Sequence, residues 1–148
     1  MEEVYDCLKL QNQLCYPIYL LSKEIIKKYT PYLNEINLTY TQYVVMMYFW
    51  EKKKSNVKEM SNILLIDSST LTPLLKKLEQ KRFIKRSKSD VDERNLSITI
   101  TKEGESLKEK AKVIPEKVAK CLNLSNNELV QFYKLINKTL ENVIKKDE

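Results

Sequence analysis

Apolar residues recur with a helical period along most of this chain. Between residues 8 and 29 they return every three or four positions, which predicts a long first helix, followed by a loop around residues 31–38. Pro17 lies inside that segment and should either kink the helix or mark its early turns. The apolar stripe of this helix comprises Leu14, Cys15, Ile18, Tyr19, Ile25, Ile26 and Tyr29.

The next two helices are predicted from their first residues. Thr39 and Gln42 have the spacing of a capping box, and the segment that follows is apolar on nearly all sides, so the second helix should be buried. Asn56 and Glu59 repeat that spacing ahead of a short third helix. Its inward positions are expected to be Val57, Met60, Ile63 and Leu64.

Residues 68–80 complete a helix-turn-helix pattern. Asp67 and the serines after it should cap this fourth helix. Its buried stripe is predicted to be Leu71, Leu74, Leu75 and Leu78. The opposite face carries Ser69, Thr72, Pro73, Lys76 and Gln80, flanked by Thr70 and Lys77. Two short helices joined by a tight turn, the second with a small-polar and basic outer face, are typical of a helix-turn-helix.

A β-hairpin is predicted directly after this helix. Residues 83–86 read as a short strand, residues 87–95 as a polar loop, and residues 96–100 alternate between apolar and polar side chains, which indicates a half-buried strand. A helix-turn-helix followed by such a hairpin indicates a winged helix. A further helix is expected from Lys102 to about Leu122, interrupted at Pro115, and Ser125 with Glu128 should open the last one.

The predicted fold class is therefore mostly α: a winged helix-turn-helix with N- and C-terminal dimerisation helices. We expect one domain spanning residues 1–148, in which residues 39–101 form the winged helix-turn-helix and residues 1–38 and 102–148 supply the dimerisation helices. The N- and C-terminal helices carry more apolar surface than the winged helix-turn-helix of residues 39–101 can cover. A homodimer is the natural place for that surface.

The charge of the chain is concentrated in one segment. Residues 76–88 carry seven basic side chains against one acid, Glu79, for a local net charge of +6 that equals the charge of the whole chain. Such a patch in an otherwise balanced protein indicates a polyanion partner. Because it spans the end of the fourth helix and the start of the hairpin, the predicted partner is double-stranded DNA.

Composition argues against several other classes of function. The chain has no His, one Gly and three scattered cysteines, so it lacks His bases, a Gly-rich phosphate loop and the spacing of a zinc site. We therefore expect no enzyme activity, no metal and no cofactor. No run of about 18 apolar residues is present and the N-terminus is acidic, so we expect no membrane association and a cytoplasmic protein with reduced cysteines.

Several residues have both a functional and a plain structural interpretation. The hydroxyls and lysines of residues 68–80 suit bases and phosphates, although a solvated helix face has the same composition. At the hairpin tip, Arg94, oriented by Asp92, suits a narrow minor groove, and the competing interpretation is a solvated hairpin. On position alone, Cys15 reads as a buried and inert packing residue, and the tyrosines near it as packing residues.

Several motifs together resemble a known family. They are D-S-S-T-L-T-P-L-L-K-K-L-E at 67–79, D-x-D-E-R-N-L at 90–96 and T-K-E-G at 101–104. These segments resemble the multiple-antibiotic-resistance regulator (MarR) family of winged-helix repressors. N-Q-L-C-Y-P-I-Y at 12–19, S-K-E-I-I-K-K-Y at 22–29 and L-T-Y-T-Q-Y at 38–43 are similar to its organic-hydroperoxide-resistance branch.

The resemblance implies roles for individual residues. Cys15 would be the peroxide-sensing thiol, and Tyr29 and Tyr40 would be its hydroxyl partners. Because Tyr29 follows Cys15 by 14 positions, roughly 21 Å along a straight helix, their contact requires a partner subunit, whereas Tyr19 can reach Cys15 within one chain. Cys121 lies where a resolving cysteine would lie, and a buried helical cysteine is an equally good interpretation. The expected DNA-binding set is Ser68, Ser69, Thr70, Thr72, Lys76, Lys77, Arg86, Lys88, Asp92 and Arg94.

The resulting hypothesis is a homodimeric repressor of a pseudo-palindromic DNA operator. Oxidation of Cys15 by organic hydroperoxides or related oxidants would switch off its DNA affinity. Its main rival is a repressor of the same fold that is gated by a small aromatic ligand. Two further hypotheses are a thiol peroxidase that uses Cys15 and a non-specific architectural DNA-binding protein.

Overall fold

The computed structural model describes residues 2–88 and 96–144, with side chains from residue 5 onward. Two short 3₁₀ helices, Glu2–Leu8 and Leu10–Asn12, come first. The α-helices of the described residues are α1 (Cys15–Glu35), α2 (Tyr40–Lys52), α3 (Val57–Leu64), α4 (Ser68–Gln80), α5 (Lys102–Ala111), α6 (Ile114–Lys120) and α7 (Asn126–Ile144). The strands are β1 (Lys54–Ser55), β2 (Ile84–Lys88) and β3 (Leu96–Ile100). The mostly α, winged helix-turn-helix class is confirmed.

The first helix differs from the prediction at both ends. It begins at Cys15, so Pro17 lies in the first turn, where its missing N–H removes no helical hydrogen bond. It then continues through Pro31 to Glu35, where a loop was predicted. The continuation is stabilised because the last turn buries Leu33, which is 1% exposed, and this burial offsets the one hydrogen bond that Pro31 cannot make.

The second helix begins with the predicted capping box. The Gln42 backbone N–H donates to Thr39 Oγ1 (3.3 Å), and the Thr39 backbone N–H donates to Gln42 Oε1 (3.1 Å). Most of the α2 residues that follow are buried, as the apolar run predicted. They are Gln42, Tyr43, Val45, Met46, Tyr48, Phe49 and Trp50. Helix α2 therefore supplies the centre of the core on which α4 packs.

The helix-turn-helix is formed by α3 and α4. Asn56 caps α3 by accepting the Glu59 N–H (2.9 Å), and the bounds of α4 agree with the predicted residues 68–80. Two details differ from the prediction. Ile63 was predicted to face inward and is 53% exposed, because α3 ends one residue later and the chain turns at Leu65 with φ 52°. Asp67 occupies the N-cap of α4, but its carboxylate accepts no capping hydrogen bond.

The three strands form one antiparallel sheet in the order β1-β3-β2. Ile84 pairs with Ile100 and Arg86 pairs with Ile98, so the isoleucines of β2 and β3 share one face of the sheet. The first strand of the predicted hairpin runs two residues further than expected, to Lys88. Short β1 protects the other side of β3, since Ser55 pairs with Ile98.

Gly104, in the first turn of α5, lies close to the backbone of Phe83, the residue before β2. Thr101 caps α5 by accepting the Gly104 N–H (3.0 Å), and its own N–H donates to the Phe83 carbonyl (3.1 Å). A Cβ at position 104 would overlap that same carbonyl oxygen and lie 2.9 Å from Ile100 Cγ1. The Gly104 carbonyl accepts the indole N–H of Trp50 (2.9 Å), which ties α5 to α2.

The chain divides into two compact units, Met1–Ile114 and Pro115–Glu148. The predicted interruption is present but lies at residues 112–113, since α5 ends at Ala111 and α6 begins at Ile114 with Pro115 in its first turn. Ser125 and Glu128 form the expected cap ahead of α7, where the Ser125 N–H donates to Glu128 Oε2 (2.8 Å). None of the 19 residues of α7 is buried. Among the described residues, no helix combines the length and apolar content needed to cross a bilayer.

We predict that Gly104→Ala destabilises the fold by about 1–3 kcal/mol, because the new methyl group would overlap a backbone oxygen that cannot rotate away. Urea denaturation followed by circular dichroism measures the change. Lys108→Ala, at an exposed position of the same helix, serves as the control and should change stability little. Equal stability of Gly104→Ala and the control would contradict this close packing.

Candidate DNA interface and candidate thiol site

Helix α4 presents a continuous polar face to solvent. Because the four leucines predicted to be buried are buried, the opposite side chains are exposed. These exposed residues are Ser68, Ser69, Thr70, Thr72, Lys76 and Lys77. The Thr72 hydroxyl donates to the Ser68 carbonyl (2.8 Å), which fixes the orientation of its methyl group and lone pairs. This face has the side chains that suit bases near its start and phosphates further along.

Arg86 has a partner within the chain and does not extend towards solvent. Its Nε donates to Glu79 Oε2 (2.7 Å), its Nη2 lies 2.6 Å from the same oxygen, and its backbone N–H donates to Glu79 Oε1 (2.9 Å). The pair joins the last turn of α4 to β2. Arg86 is thus a structural clamp on the hairpin in the single chain, and the phosphate contact expected from the sequence stays a prediction.

The fold sorts the basic segment 76–88 into two groups. Arg86 pairs with Glu79, and the Lys81 ammonium is half-buried, donating to the Asn37 carbonyl (2.8 Å) and to Gln42 Oε1 (2.9 Å). The remaining five basic side chains of the segment are exposed. They are Lys76, Lys77, Arg82, Lys85 and Lys88. The exposed positive charge therefore extends from α4 into β2, as the sequence indicated. It comes from five of the seven basic side chains.

Two of the expected DNA-binding residues, Asp92 and Arg94, lie outside the described residues. Their assignment to the hairpin tip stays a prediction. Lys88, the last described residue of β2, is exposed and pairs in register with Leu96 of β3.

An aromatic cluster occupies the junction of α1 and α2. The rings of Tyr29 and Tyr40 meet edge-on with centroids 5.0 Å apart, and Tyr43 lies 5.8 Å from Tyr29. Trp50 extends the cluster, 6.0 Å from Tyr43. Burial, and secondarily the neighbouring tyrosines, raises the pKa of Tyr43 to about 12, and burial with Tyr40 raises the pKa of Tyr29. Both phenols therefore remain protonated donors at neutral pH.

The thiol of Cys15 is exposed at the first residue of α1, where the sequence alone suggested a packed position. Tyr19 follows one turn later, also exposed, with Lys23 Nζ 5.1 Å from its ring centroid. Since α1 is continuous from Cys15 to Tyr29, these two residues are roughly 21 Å apart in one chain. The structure thus brings Tyr29 and Tyr40 together, and leaves Cys15 with Tyr19 at the other end of the helix.

Cys121 lies just after α6, and its thiol is exposed, so the buried position that the sequence allowed does not hold in the single chain. Its Sγ donates weakly to the Lys117 carbonyl (3.5 Å). The three cysteines are free in this chain.

Some residues of these sites were missed from the sequence. The sequence indicates only a packing role for Tyr43 and shows Glu79 only as one acid among seven bases. The signals that could have found them were the spacing of Tyr40 and Tyr43 on one helix face and the position of Glu79 one turn before the hairpin. The inward turn of Lys81 had no local signal, because its acceptors lie about 40 residues earlier in the chain.

Comparison with known proteins identifies the family to which the chain belongs. Residues 25–111 match the family described as transcriptional regulator SarA/Rot. Over 147 residues, 99% of this chain and 100% of the relative, the chain is 40% identical to the organic hydroperoxide resistance transcriptional regulator of Bacillus subtilis. The chain belongs to the SarA/Rot family of transcriptional regulators. Its resemblance to the organic-hydroperoxide-resistance branch of winged-helix regulators is confirmed.

Two further proteins are similar to this regulator over most of their length. SarZ of Staphylococcus aureus is 47% identical over 119 residues, which is 80% of either chain. Reduced AbfR of Staphylococcus epidermidis, solved bound to DNA, superimposes with a TM-score of 0.74 at 31% identity, covering 97% of this chain and 99% of AbfR. AbfR also matches in an overoxidised form bound to DNA and in a form with a disulfide.

We predict that Glu79→Gln lowers the free energy of unfolding of the regulator at pH 7 by about 1 kcal/mol, the magnitude of a partly exposed charge-assisted pair. Arg86 holds the pKa of the Glu79 carboxyl below its usual value. The pair's contribution is therefore present above the ordinary pKa of about 4.3 and is lost as the pH falls through the lower, folded-state value.

The difference between wild type and Glu79→Gln in urea denaturation should accordingly be largest near pH 7 and shrink towards pH 3. Arg86→Met should add little in the Glu79→Gln background, which is the control for a shared interaction. A difference of the same size at both pH values would show that the pair is not the cause.

Proposed function

We propose that this regulator is a homodimeric DNA-binding repressor whose DNA affinity falls when organic hydroperoxides oxidise Cys15. The observation that carries the proposal is the exposed Cys15 thiol at the start of α1, in a chain that matches a hydroperoxide-resistance regulator along its full length. The exposed face of α4 binds DNA in this proposal. The tyrosine cluster donates hydrogen bonds to the oxidised thiol.

Helix α4 enters the major groove in this proposal. Thr70 and Thr72 approach base edges, while Lys76 and Lys77 bind phosphates, with Ser68 and Ser69 at the helix start beside the backbone. In a dimer, two copies of α4 meet successive major grooves roughly 34 Å apart, which accounts for a pseudo-palindromic operator. Lys88 leads into the hairpin, from which Asp92 and Arg94 reach the adjacent minor groove.

The dimer follows from apolar surface that the single chain leaves in water. Helix α7 has an apolar stripe along 19 residues and buries none of them. Leu135 and Leu140, for example, are more than half exposed, and at the other end of the chain Leu14 and Ile18 are as well. A second copy that covers such apolar side chains removes them from water.

The sensing step is a two-electron oxidation of the thiol. Cys15 attacks the terminal oxygen of the hydroperoxide, the O–O bond breaks, and the products are the Cys15 sulfenic acid and the corresponding alcohol. Tyr29 and Tyr40 of the partner subunit donate hydrogen bonds at that sulfur, because the length of α1 keeps the chain's own Tyr29 away from it. Tyr19 is the phenol supplied by the same chain. The new polar group disfavours the dimer geometry that fits DNA.

Cys121 provides a second stage in this proposal. Its thiol, from the partner subunit, attacks the Cys15 sulfenic acid and releases water to form an intersubunit disulfide, as a disulfide form of AbfR suggests by analogy. The competing product is a mixed disulfide between Cys15 and a small cellular thiol. Non-reducing electrophoresis distinguishes them, since only the first links two chains.

The DNA contact is tested by its salt dependence. If a dimer contacts roughly six to ten phosphates, the logarithm of the association constant should fall with the logarithm of salt concentration with a slope of about −5 to −9. Lys76→Gln should reduce the steepness by about 2, because each dimer loses two contacts. Fluorescence anisotropy between about 50 and 300 mM salt gives the slope.

The matched variant for that titration is Arg86→Gln, which removes the same charge from the same segment. Because Glu79 already neutralises Arg86, this variant should weaken binding without changing the slope. Equal slopes for Lys76→Gln and wild type would remove α4 from the interface.

The sensor is tested with Cys15→Ser. This variant should bind DNA as tightly as reduced wild type and should retain that affinity after treatment with cumene hydroperoxide, whereas wild type should lose at least about tenfold, or 1.4 kcal/mol. Anisotropy before and after oxidation measures both. Cys7→Ser, which removes another exposed thiol, is the control and should respond as wild type does.

Release of DNA by oxidised Cys15→Ser would place the sensor elsewhere. Release of DNA from Cys15→Ser by phenolic compounds, with no response of wild type to hydroperoxide, would instead favour gating by a small aromatic ligand.

A further inference from the structure

The C-terminal end of α4 is hydrogen-bonded to the segment where α1 ends and α2 begins. Lys81, the C-cap residue of α4, is only partly exposed. Its ammonium donates to the Asn37 carbonyl (2.8 Å) and to Gln42 Oε1 (2.9 Å). Both acceptors lie where α1 ends and α2 begins. Lys81 therefore connects the helix that faces DNA with the turn beside the tyrosine cluster.

The acceptors of Lys81 are held rigidly. Gln42 is 3% exposed, and the Oε1 atom that accepts from Lys81 also accepts the Thr39 N–H (3.1 Å) in the cap of α2. Asn37 adopts the left-handed conformation with φ 56°, and the Leu38 N–H donates back to the Leu33 carbonyl (2.9 Å), which closes the end of α1. A change in the direction of either helix would move one of the two acceptors.

The turn is also attached to the aromatic cluster. Tyr40 is the first residue of α2 and follows Thr39, the residue whose N–H shares the Gln42 oxygen with Lys81. Its ring packs edge-on against Tyr29 of α1, with centroids 5.0 Å apart. A displacement of either tyrosine ring therefore bears directly on the cap of α2 and hence on the acceptor of Lys81.

No acid in the part of the chain that the structure describes compensates the charge of Lys81. Among residues 5–88 and 96–144, no carboxylate forms an ion pair with it, so two neutral oxygens hold a half-buried ammonium. Burial, and secondarily the nearby Lys77, lowers the pKa of Lys81. Such an ammonium depends on the acceptors it has, because a partly buried charge that loses one of them is less well compensated than in bulk water.

We propose that Lys81 is a positioning residue that couples the tyrosine-bearing start of α2 to α4, so that movement of Tyr29 or Tyr40 changes the placement of the DNA-facing helix. The inference rests on the proposed function in one respect, since oxidation of Cys15 is the event that would move the tyrosines. Lys81 does not touch DNA in this scheme. It carries the response from the cluster to the helix.

The test measures how strongly oxidation changes DNA affinity in variants of the full-length protein. The probe is a duplex selected from a random-sequence library by the reduced wild-type protein, and the oxidant is cumene hydroperoxide. Lys81→Met keeps the aliphatic stem and removes the donors, and Lys81→Arg restores two donors. Lys85→Met is the matched control, because it removes one exposed positive charge from the same basic segment.

For wild type, oxidation should weaken binding at least tenfold. Lys81→Met should reduce that ratio to below threefold, while Lys81→Arg should keep it near the wild-type value. Lys85→Met should weaken binding in both oxidation states alike and leave the ratio unchanged. Mass spectrometry after sulfenic acid trapping should find Cys15 oxidised equally in all four. A wild-type ratio in Lys81→Met, with Cys15 oxidised, would overturn the proposal.

A second arm uses only reduced protein and so separates this inference from the sensing proposal. DNA dissociation constants are measured for Tyr40→Leu, Lys81→Met and the double variant. Coupling predicts that the double variant loses at least threefold less affinity than the product of the two single losses. A double loss equal to that product would overturn the inference whether or not Cys15 is the sensor. If wild type ignores the oxidant, the proposed function fails and this cycle still decides the role of Lys81.

Circular dichroism confirms which variants are folded at the assay temperature. Lys81→Gln is measured in parallel, because its shorter amide side chain is easily solvated and cannot reach both acceptors. It should lose the oxidation ratio and the coupling as Lys81→Met does. Wild-type behaviour of a folded Lys81→Gln in both arms would contradict the proposal independently of Lys81→Met.

Discussion

Burial of the leucine face of α4 decides which of its side chains meet solvent. Leu71 and Leu78 are fully buried, and α4 packs against α2 and α3 along that stripe. Since a helix turns once in 3.6 residues, fixing one face fixes the opposite one, and the hydroxyls and lysines of α4 must then point outward. The hairpin follows from the same packing, because Glu79 at the end of this helix clamps β2 through Arg86. The charged surface is thus a consequence of the apolar core.

Local sequence patterns predicted an element correctly where the interactions that determine its limits lie within the element itself. The Thr39–Gln42 capping box and the limits of α4 were predicted correctly because their hydrogen bonds and their apolar period are contained in the segment itself. The passage of α1 through Pro31 was not predictable in this way. It depends on the burial of Leu33 by other elements, a tertiary contribution that outweighs the local preference of proline.

The same limit applies to the candidate sites. Charge counting located the basic segment but not the orientation of its members, because Lys81 finds its acceptors at Asn37 and Gln42, about 40 residues away in sequence. The tyrosines were recognised from motifs, whereas their mutual contact required α1 and α2 to pack. The exposure of Cys15 likewise depends on where α1 begins, since at the first residue of the helix the thiol has no preceding turn to pack against.

The single glycine of the chain, Gly104, is required by its close approach to the Phe83 carbonyl. The turns that need a positive φ angle are therefore formed by other residues. In the part of the chain that the structure describes, five residues with side chains adopt positive backbone φ angles: Asn37, Lys53, Leu65, Arg82 and Asn123. For residues other than Asn and Gly this conformation costs roughly 1–2 kcal/mol. At Arg82, just after α4, the strained residue is also one of the exposed cations. Replacing Leu65 with glycine would therefore relieve backbone strain and raise thermal stability. The same replacement at Arg82 would also relieve strain, but it would remove a positive charge that attracts polyanions.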